Sequence, residues 1–290
     1  MRTTESNLRL DPAHSPMADT ILKRYEIKDV LASGISVVYR AFDSHSGHDV
    51  AVKTVRVLSN EDSASRTLRN EGQILKRLHH QNVIDVHDFG EFKKGRETFS
   101  FIVMPLLHGH TLDQMIGAAA KLESAVVVDV ISQTCQGLQH THEQGIVHRN
   151  IRPKNIFVTT EQIVKIIDFG LARDLSNENQ NVAARKVIGT LLYMSPEQIQ
   201  GLTATPASDI FCLGAVCYEA LSGLIPFDGA SLSEVLVAIM HRDPAPLVSV
   251  RPDLGNELSL AVQKALAKRV EERYSSADEF GEAIRCAACG

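Results

Sequence analysis

The apolar residues of this chain follow a strand-like pattern in its first part and a helical period in the rest. This division constrains the fold more than any other feature. Within residues 25–104, short runs of β-branched and aromatic side chains alternate with Gly, Asp, Ser and Asn, which is typical of strands joined by turns. The predicted strands cover 25–27, 37–42, 50–57, 83–89 and 99–104. Between the third and fourth strands, residues 63–78 repeat Leu and Ile at helical spacing. The first part of the chain therefore predicts an antiparallel sheet with one helix.

Beyond Leu112 the apolar residues recur mainly at the helical period. The predicted helices cover 122–144, 208–222, 231–241, 258–268 and 277–285. Residues 145–160 and 163–169 instead combine short hydrophobic strands with polar turns, and residues 173–190 form a long polar connection of a kind that is usually functional or mobile. The whole pattern predicts an α+β fold with a sheet-based first lobe and a mainly helical second lobe.

Length and composition agree with two compact lobes. The chain has 290 residues, 44% hydrophobic and 22% charged, which is ordinary for a globular protein. At about 150 residues per unit, this length allows roughly two lobes, each with its own core. We predict a flexible tail over residues 1–20 and one domain over 21–290, with lobes of about 21–106 and 107–290.

Charge and hydropathy argue against two classes of partner. The chain has 30 basic and 35 acidic side chains, a net charge of −5, whereas binding to a phosphate backbone needs clustered Lys and Arg. No apolar run approaches the roughly 20 residues of a membrane-spanning helix, and residues 1–10 lack the apolar core of a secretory signal. We therefore expect no nucleic-acid partner, no membrane span and a cytoplasmic location.

One lysine lies inside an otherwise apolar strand. Strand alternation places Lys53 on the face opposite Val50 and Val52. A lysine in such a strand needs a partner, and Glu71, in the single helix predicted for that lobe, is a candidate for an ion pair. Taken alone, these residues are more often a solvated lysine and an exposed glutamate.

Two loops further along the chain carry groups suited to a nucleotide with Mg²⁺. The first reads His-Arg-Asn-Ile-Arg-Pro-Lys-Asn over residues 148–155, and the second reads Asp-Phe-Gly over 168–170. Asn155 and Asp168 supply hard oxygens of the kind that Mg²⁺ prefers. The triplet alone is weak evidence. Its position after a strand lysine, a helical glutamate and the first loop is strong evidence, because four elements occur in the right order on the right structures.

In these segments the chain resembles the Ser/Thr protein kinases of the Hanks type, in the style found in bacteria. The resemblance covers about residues 24–285, with further matches at 189–190, 193–198, 208–210, 214, 226–227 and 273–274. The later segments disfavour small-molecule phosphotransferases that share the catalytic loop, so a protein substrate is implied. The resemblance also implies a bilobal protein-kinase-like fold, a signalling role, and ATP and Mg²⁺ as ligands.

The resemblance further implies roles for individual residues. Lys53 would contact the α and β phosphates of ATP, and Glu71 would hold Lys53. Asn155 and Asp168 would bind the metal ion. The other residues implied to bind the nucleotide are Gly34, Val38, Ala51, Met104, Pro105, Leu107 and Phe157. The implied supports of the site are Leu75, Val86, His148 and Phe169, stacked between the lobes, Glu197 paired with Arg273, and Asp209 beneath the catalytic loop.

The catalytic loop departs from the family at two positions. Where active kinases have an aspartate that accepts the proton of the substrate hydroxyl, this chain has Asn150. An amide lacks the charge and basicity for that step, which is typically worth about 10²–10⁴-fold in rate. Arg152 replaces the lysine that reaches the transferred phosphate, and exchanges a compact ammonium for a planar guanidinium. We expect a large loss of phosphate transfer, but not a complete one, because positioning and metal electrostatics supply much of the rate.

The phosphate loop, residues 31–39, is also unusual. It is one residue shorter than the family pattern and keeps only Gly34 of the expected glycines. Ala32 and Ser36 carry Cβ atoms that hinder close approach of the backbone to phosphates. We therefore expect weak nucleotide binding or loose alignment of the γ-phosphate.

Regulation by phosphorylation is altered as well. Residues 177–188 contain no Ser or Thr, so Arg149, which in the family meets a phosphorylated side chain, lacks that partner. Ser176 is the one hydroxyl residue between Gly170 and Thr190. Thr190 would face the catalytic loop, where a structural role is more common than a regulatory one.

Two functions from different classes remain open. The first, which we expect, is a pseudokinase: a nucleotide-binding module that switches a protein partner through its two-lobe conformation. It is favoured by Asn150, Arg152 and the short phosphate loop. The second is a slow Ser/Thr kinase that transfers the γ-phosphate of ATP to protein Ser or Thr, favoured by the complete set of phosphate and metal residues. A different transfer reaction on the same fold is a third, smaller possibility.

Overall fold

The first lobe is built on one antiparallel sheet. The computed structural model describes residues 20–21, 23–58, 63–119, 121–175 and 191–288. The strands of this sheet are β1 Thr20–Ile21, β2 Tyr25–Ala32, β3 Val37–Asp43, β4 His48–Val57, β5 Asp88–Lys94 and β6 Glu97–Pro105. They lie in the order β1-β2-β3-β4-β6-β5. Strand β4, which carries Lys53, is therefore hydrogen-bonded on both edges and lies inside the sheet.

The two faces of the sheet pack against different partners. One face buries Phe101 in an apolar core of its own. The other packs Ile102 against Leu68 of helix α1, Ser63–Leu75. Because α1 is amphipathic, its buried side also carries Glu71 toward the sheet.

The second lobe is mainly helical. Its helices are α2 Leu112–Ala119, α3 Ser124–Glu143, α4 Pro196–Ile199, α5 Pro206–Ser222, α6 Leu232–His241, α7 Leu247–Val250, α8 Asn256–Ala265 and α9 Ala277–Ala288. Helix α5 runs through the core, where residues 208–218 are all buried. The strands of this lobe are β7 Gly109–Thr111, β8 Ile146–Val147, β9 Ile156–Thr159, β10 Val164–Ile166 and β11 Arg173–Asp174. They form two small sheets, β10-β9-β7 and β11-β8, that support the loops of the site.

The fourth predicted strand is wrong in position. We expected residues 83–89, whereas β5 occupies Asp88–Lys94. Val83 instead forms a parallel bridge with Ile166, and the Ile84 N–H donates to the Ile166 carbonyl at 3.0 Å. The apolar residues at the start of this run are therefore buried against the second lobe, a use that a short apolar run does not distinguish from a strand.

Smaller differences concern element ends. Helix α1 ends at Leu75 and not at residue 78. The elements that were not predicted are α2, α4, α7, β1, β7 and β11, of which β11 lies inside the predicted connection 173–190. The expected strand stretch 145–160 reduces to β8 and β9, because the loop between them is held by side-chain hydrogen bonds rather than by a ladder.

The predicted fold class is confirmed: an α+β chain with a sheet-and-helix first lobe and a mainly helical second lobe. The tail predicted over residues 1–20 lies, except for Thr20, outside the described residues, so the domain boundaries stay predictions. Within the described ranges, no helix is both long and apolar enough to cross a bilayer.

Candidate active site

Lys53 is held between two carboxylates that come from different parts of the chain. Its Nζ lies 3.0 and 2.8 Å from Oε1 and Oε2 of Glu71, and 2.9 Å from Oδ1 of Asp168. The side chains of Lys53 and Glu71 are only 15% and 3% exposed, whereas that of Asp168 is 41% exposed. The predicted Lys53–Glu71 ion pair is confirmed. The predicted separation of strand faces is confirmed: Val50 and Val52 lie in the core that contains Phe101, whereas Lys53 reaches Glu71 of α1 on the other face.

The charges of this cluster follow from burial and from their mutual contacts. Burial lowers the pKa of Lys53, but Glu71 and Asp168 outweigh burial and raise that pKa above its ordinary value. The charge of Lys53 lowers the pKa of Asp168. Burial raises the pKa of Glu71, against the opposing influence of Lys53. Lys53 therefore stays charged, and the more exposed Asp168 stays ionised and accessible to a cation.

Asp168 is oriented by the residue that follows it. Its φ of 63° is a left-handed conformation that is unusual for a non-glycine residue. The Phe169 ring is fully buried and meets His148 edge-on, with ring centroids 4.6 Å apart. Leu75 is buried, and Val86 packs against the cores of both lobes. The His148–Phe169 contact of the predicted stack is therefore present beside Asp168, and Leu75 belongs to the buried cluster that contains Phe169, against which Val86 packs.

The catalytic loop is gripped through its main chain. Asp209, fully buried at the start of α5, accepts hydrogen bonds from the N–H groups of His148 and Arg149, both at 2.8 Å. The ring of His142 lies 2.9 Å from the same carboxylate. Gln198 Nε2 donates to the Arg149 carbonyl at 3.0 Å. Asp209 was predicted in this role, whereas Gln198 was missed, because its contact with Arg149 joins residues 49 apart in the sequence.

Asn150 is held in place by hydrogen bonds, but its side chain is not a base. Its N–H donates to Nδ1 of His148 at 3.2 Å, and burial lowers the pKa of His148, so the ring is neutral and accepts at Nδ1. The Asn150 carbonyl accepts from Nδ2 of Asn155 at 2.8 Å. Among the described residues, the buried Asn150 Oδ1 has no hydrogen-bond partner. The loop thus presents an amide where the family has a carboxylate.

The residues implied to surround the nucleotide come from both lobes. Cross-strand pairing sets Val38 opposite Lys53, and Ala51 opposite Met104. Three more lie at the lobe connection or beyond it: Pro105 at the end of β6, half-buried Leu107, and Phe157 in β9. Exposed Gly34 lies in the turn between β2 and β3, where Ala32 pairs with Val38 after a register shift. Their roles toward a nucleotide stay predictions.

Arg149 faces another cation. Burial and the charge of Arg173 together lower its pKa. The Arg173 Nε, also buried, has no hydrogen-bond partner among the described residues. Two predicted regulatory positions, Ser176 and Thr190, lie outside the described residues.

A buried ion pair supports the loop from below, as predicted. Glu197 accepts from Nη1 and Nη2 of Arg273 at 2.8 and 2.9 Å, and from the Ser208 hydroxyl at 2.6 Å. Burial raises the pKa of Glu197, but these hydrogen bonds outweigh burial and lower it to about 2. Glu197 lies in the first turn of the short helix α4, which also contains Gln198, so the pair fixes the helix that holds Arg149.

Comparison with known proteins agrees with this geometry. Residues 25–282 match the model of the protein kinase domain family. The chain is 35% identical over 259 residues to the serine/threonine-protein kinase PknB of Mycobacterium leprae and 36% identical over 260 residues to that of Mycolicibacterium smegmatis, covering 89% of this chain and 42% of each relative. It is 33% identical over 260 residues to a probable PknB of Lactococcus lactis, covering 89% of this chain and 41% of that protein. The chain spans about two-fifths of the length of these relatives. It belongs to the protein kinase family, among the Ser/Thr kinases of the Hanks type found in bacteria.

Proposed function

We propose that this chain is a pseudokinase, a signalling protein that binds ATP with Mg²⁺ and has lost efficient phosphate transfer. One observation carries the proposal. The residues that would hold the nucleotide, Lys53, Glu71 and Asp168, form a closed ion-pair cluster, while the position of the catalytic base is an asparagine, Asn150.

The donor set at the site fits a hard divalent cation. Asp168 offers an ionised, partly exposed carboxylate beside Lys53. Asn155 uses its amide nitrogen to hold the Asn150 carbonyl, which leaves its side-chain oxygen as the acceptor for a cation. Bound Mg²⁺ would neutralise charge on the ATP phosphates. Lys53 would add a second positive charge beside them.

The missing base explains how the chain would bind ATP without efficient transfer of its phosphate. The substrate hydroxyl must lose its proton as phosphate is transferred, and the uncharged amide of Asn150 does not accept it. Arg152 keeps a positive charge nearby, but as a planar group that differs from the lysine of active kinases. Nucleotide binding requires neither residue.

The second candidate, a slow Ser/Thr kinase with a protein substrate, is favoured by the intact loop backbone. Asp209 and Gln198 hold residues 148 and 149 irrespective of the side chain at 150. Because phosphoryl transfer depends strongly on positioning and electrostatics, such a loop supports residual transfer. The relatives are named as serine/threonine-protein kinases, in line with this candidate.

We further propose a cytoplasmic site of action and a protein partner. An ATP ligand places the site in a compartment that supplies ATP. The net charge of −5 disfavours a nucleic-acid partner.

Calorimetric titration with Mg-ATP tests the binding half of the proposal. We expect binding to the unmodified protein and at least about thirtyfold weaker binding to Lys53→Ala, because two carboxylates then face the phosphates without a cation. Arg24→Ala is the matched control: Arg24 also pairs with a carboxylate that is only 3% exposed, Asp43, but away from the site. It should leave the affinity unchanged within about twofold.

Phosphate transfer to itself and to a generic basic protein, measured on the same sample, separates the two candidates. Binding without transfer supports the pseudokinase. Slow transfer that disappears in Asp168→Ala supports the slow kinase. Failure of the unmodified protein to bind Mg-ATP contradicts both.

A further inference from the structure

We propose that Arg77 is a positioning residue that ties helix α1, and through it Glu71, to residues 168–175, the segment that begins at Asp168. The tie would set how completely the Lys53–Glu71–Asp168 cluster forms, and therefore how tightly a nucleotide binds. This inference rests on the nucleotide binding proposed above, and it names a residue outside the binding site that sets the affinity for the nucleotide.

Arg77 makes two contacts across the lobes. It lies two residues past the end of α1, where its N–H donates to the Ile74 carbonyl at 3.0 Å. Its Nη1 forms an ion pair with Oδ2 of Asp174. Its Nη2 donates to the Gln144 carbonyl at 3.1 Å. One guanidinium thus joins α1 to two separate parts of the second lobe.

Both acceptors are fixed by their own surroundings. Asp174 lies in β11 opposite Ile146 of β8, and the next residue, Leu175, donates its N–H to the Gly145 carbonyl at 2.8 Å. Gln144 follows the last residue of α3, where helix carbonyls carry partial negative charge. The guanidinium is therefore held by a carboxylate and a helix C-terminus, both of which favour a cation.

Other contacts of α1 reach the same segment. Asn70 Nδ2 donates to the Ala172 carbonyl at 3.4 Å, and Glu71 reaches Asp168 through Lys53. Together with Arg77 to Asp174, these contacts follow the segment from Asp168 onward. Loss of the last contact removes a polar tie next to the C-terminal end of α1, and we expect it to weaken the alignment of Glu71.

The ion pair between Arg77 and Asp174 does not depend on phosphorylation. Residues 177–188 contain no Ser or Thr, so no phosphorylated side chain in that stretch strengthens the attachment of the segment. The carboxylate of Asp174 needs no modification to pair with Arg77, and its side chain is only 13% exposed. The geometry thus attaches α1 to the segment without a modification.

An exposed ion pair by itself contributes little to stability. A second arginine, within α1 itself, provides a control for loss of such a pair. Arg69 pairs with Glu91 at 3.2 Å and is 42% exposed, close to the 46% of Arg77, but Glu91 belongs to the first lobe. Arg69→Ala removes a comparable charge and ion pair without touching the segment. A difference between the two variants therefore measures the tie between the lobes.

The test combines hydrogen exchange with nucleotide titration. In nucleotide-free protein, Arg77→Ala should speed amide exchange in residues 168–175 and in α1, and Arg69→Ala should leave exchange in 168–175 unchanged. For Mg-ATP, Arg77→Ala should weaken binding about fivefold to thirtyfold, the lower part of the usual range of coupling between two sites. Arg77→Lys, which keeps the charge near Asp174, should recover part of the affinity.

A double-variant cycle decides whether Arg77 acts through Asp174. Asp174→Asn should reproduce the effect of Arg77→Ala, and the double variant should be no weaker than either single variant. Additive losses, or identical exchange and affinity in Arg77→Ala and Arg69→Ala, overturn the inference. If the unmodified protein does not bind Mg-ATP, the proposed function fails, while the exchange measurement still decides whether the tie exists.

Discussion

The two sides of the site differ in what has been retained. On the nucleotide side, where we propose that ATP binds, Lys53 contacts Glu71, as the family resemblance implies, and also contacts Asp168. On the transfer side, the main chain of the loop is held by Asp209, but the side chain at its centre, Asn150, has no proton affinity to offer. The difference teaches that geometry and acid–base chemistry are specified by separate residues here. One is kept while the other is replaced.

The largest expected effect comes from restoring the two substituted side chains of the catalytic loop, which would remove the difference between the two sides. Asn150→Asp with Arg152→Lys should raise phosphate transfer to a generic basic protein by about 10²-fold or more, because a general base is restored on a loop that is already positioned. Transfer of radiolabelled phosphate from ATP measures the gain. The same pair of changes in an Asp168→Ala background should stay inactive. No gain in the double variant would mean that the nucleotide side is itself defective.

Acid should weaken the ion pair between Glu197 and Arg273, which supports the catalytic loop. The pKa of Glu197 is lowered to about 2 by Arg273 and Ser208, so its stabilisation is complete above the unfolded pKa and is lost as pH falls toward 2. The difference in free energy of unfolding between the unmodified protein and Glu197→Gln should shrink by about 2 kcal/mol from pH 5 to pH 3. Urea unfolding at both pH values measures it. A difference independent of pH would show that the pKa of Glu197 is the same in the folded and unfolded protein, which would contradict the lowered value.

Removal of Mg²⁺ tests whether Asp168 holds the metal ion on the nucleotide side of the site. Without the ion, the carboxylate of Asp168 repels the phosphates, so the affinity for ATP should fall about tenfold, a change of about 1.4 kcal/mol. Calorimetry with and without a chelator measures this. Asp168→Asn serves as the control, because removal of the negative charge should make binding nearly indifferent to Mg²⁺. Equal Mg²⁺ dependence in both proteins would place the ion elsewhere.

The smallest effect concerns the phosphate loop. Ala32→Gly removes a Cβ from the end of β2, where Ala32 pairs with Val38, and eases approach of the backbone to phosphates. The gain is partly offset by the flexibility of glycine. We expect affinity for Mg-ATP to improve by no more than about threefold in a calorimetric titration. A gain of about tenfold or more would contradict the comparison, because the nucleotide side would then be as altered as the transfer side.

Much of the fold and of the charged cluster was predictable from the sequence. The separation of strand and helix periods determined the two lobes. The partner of Lys53, which is Glu71, was predicted only when the strand lysine was taken together with the loops at 148–155 and 168–170. The strand expected at 83–89 was misplaced, because Val83 and Ile84 are buried against Ile166 of the second lobe. A local hydrophobic pattern records burial and does not record which element provides it.

The residues that sequence reasoning missed act over long separations. Gln198 reaches Arg149 across 49 residues, and Arg77 reaches Asp174 across 97. Both are ordinary polar side chains on helix ends or turns, where exposure is the usual expectation. Only the packing of the lobes brings them to their partners.

The grip of Asp209 and Gln198 on main-chain atoms has an evolutionary consequence. Because these contacts end at residues 148 and 149, the side chain at 150 is free to change without disturbing the loop. A single base change converts an asparagine codon into an aspartate codon. An aspartate at position 150 is therefore a single mutational step away, on a loop whose main chain is already held in place.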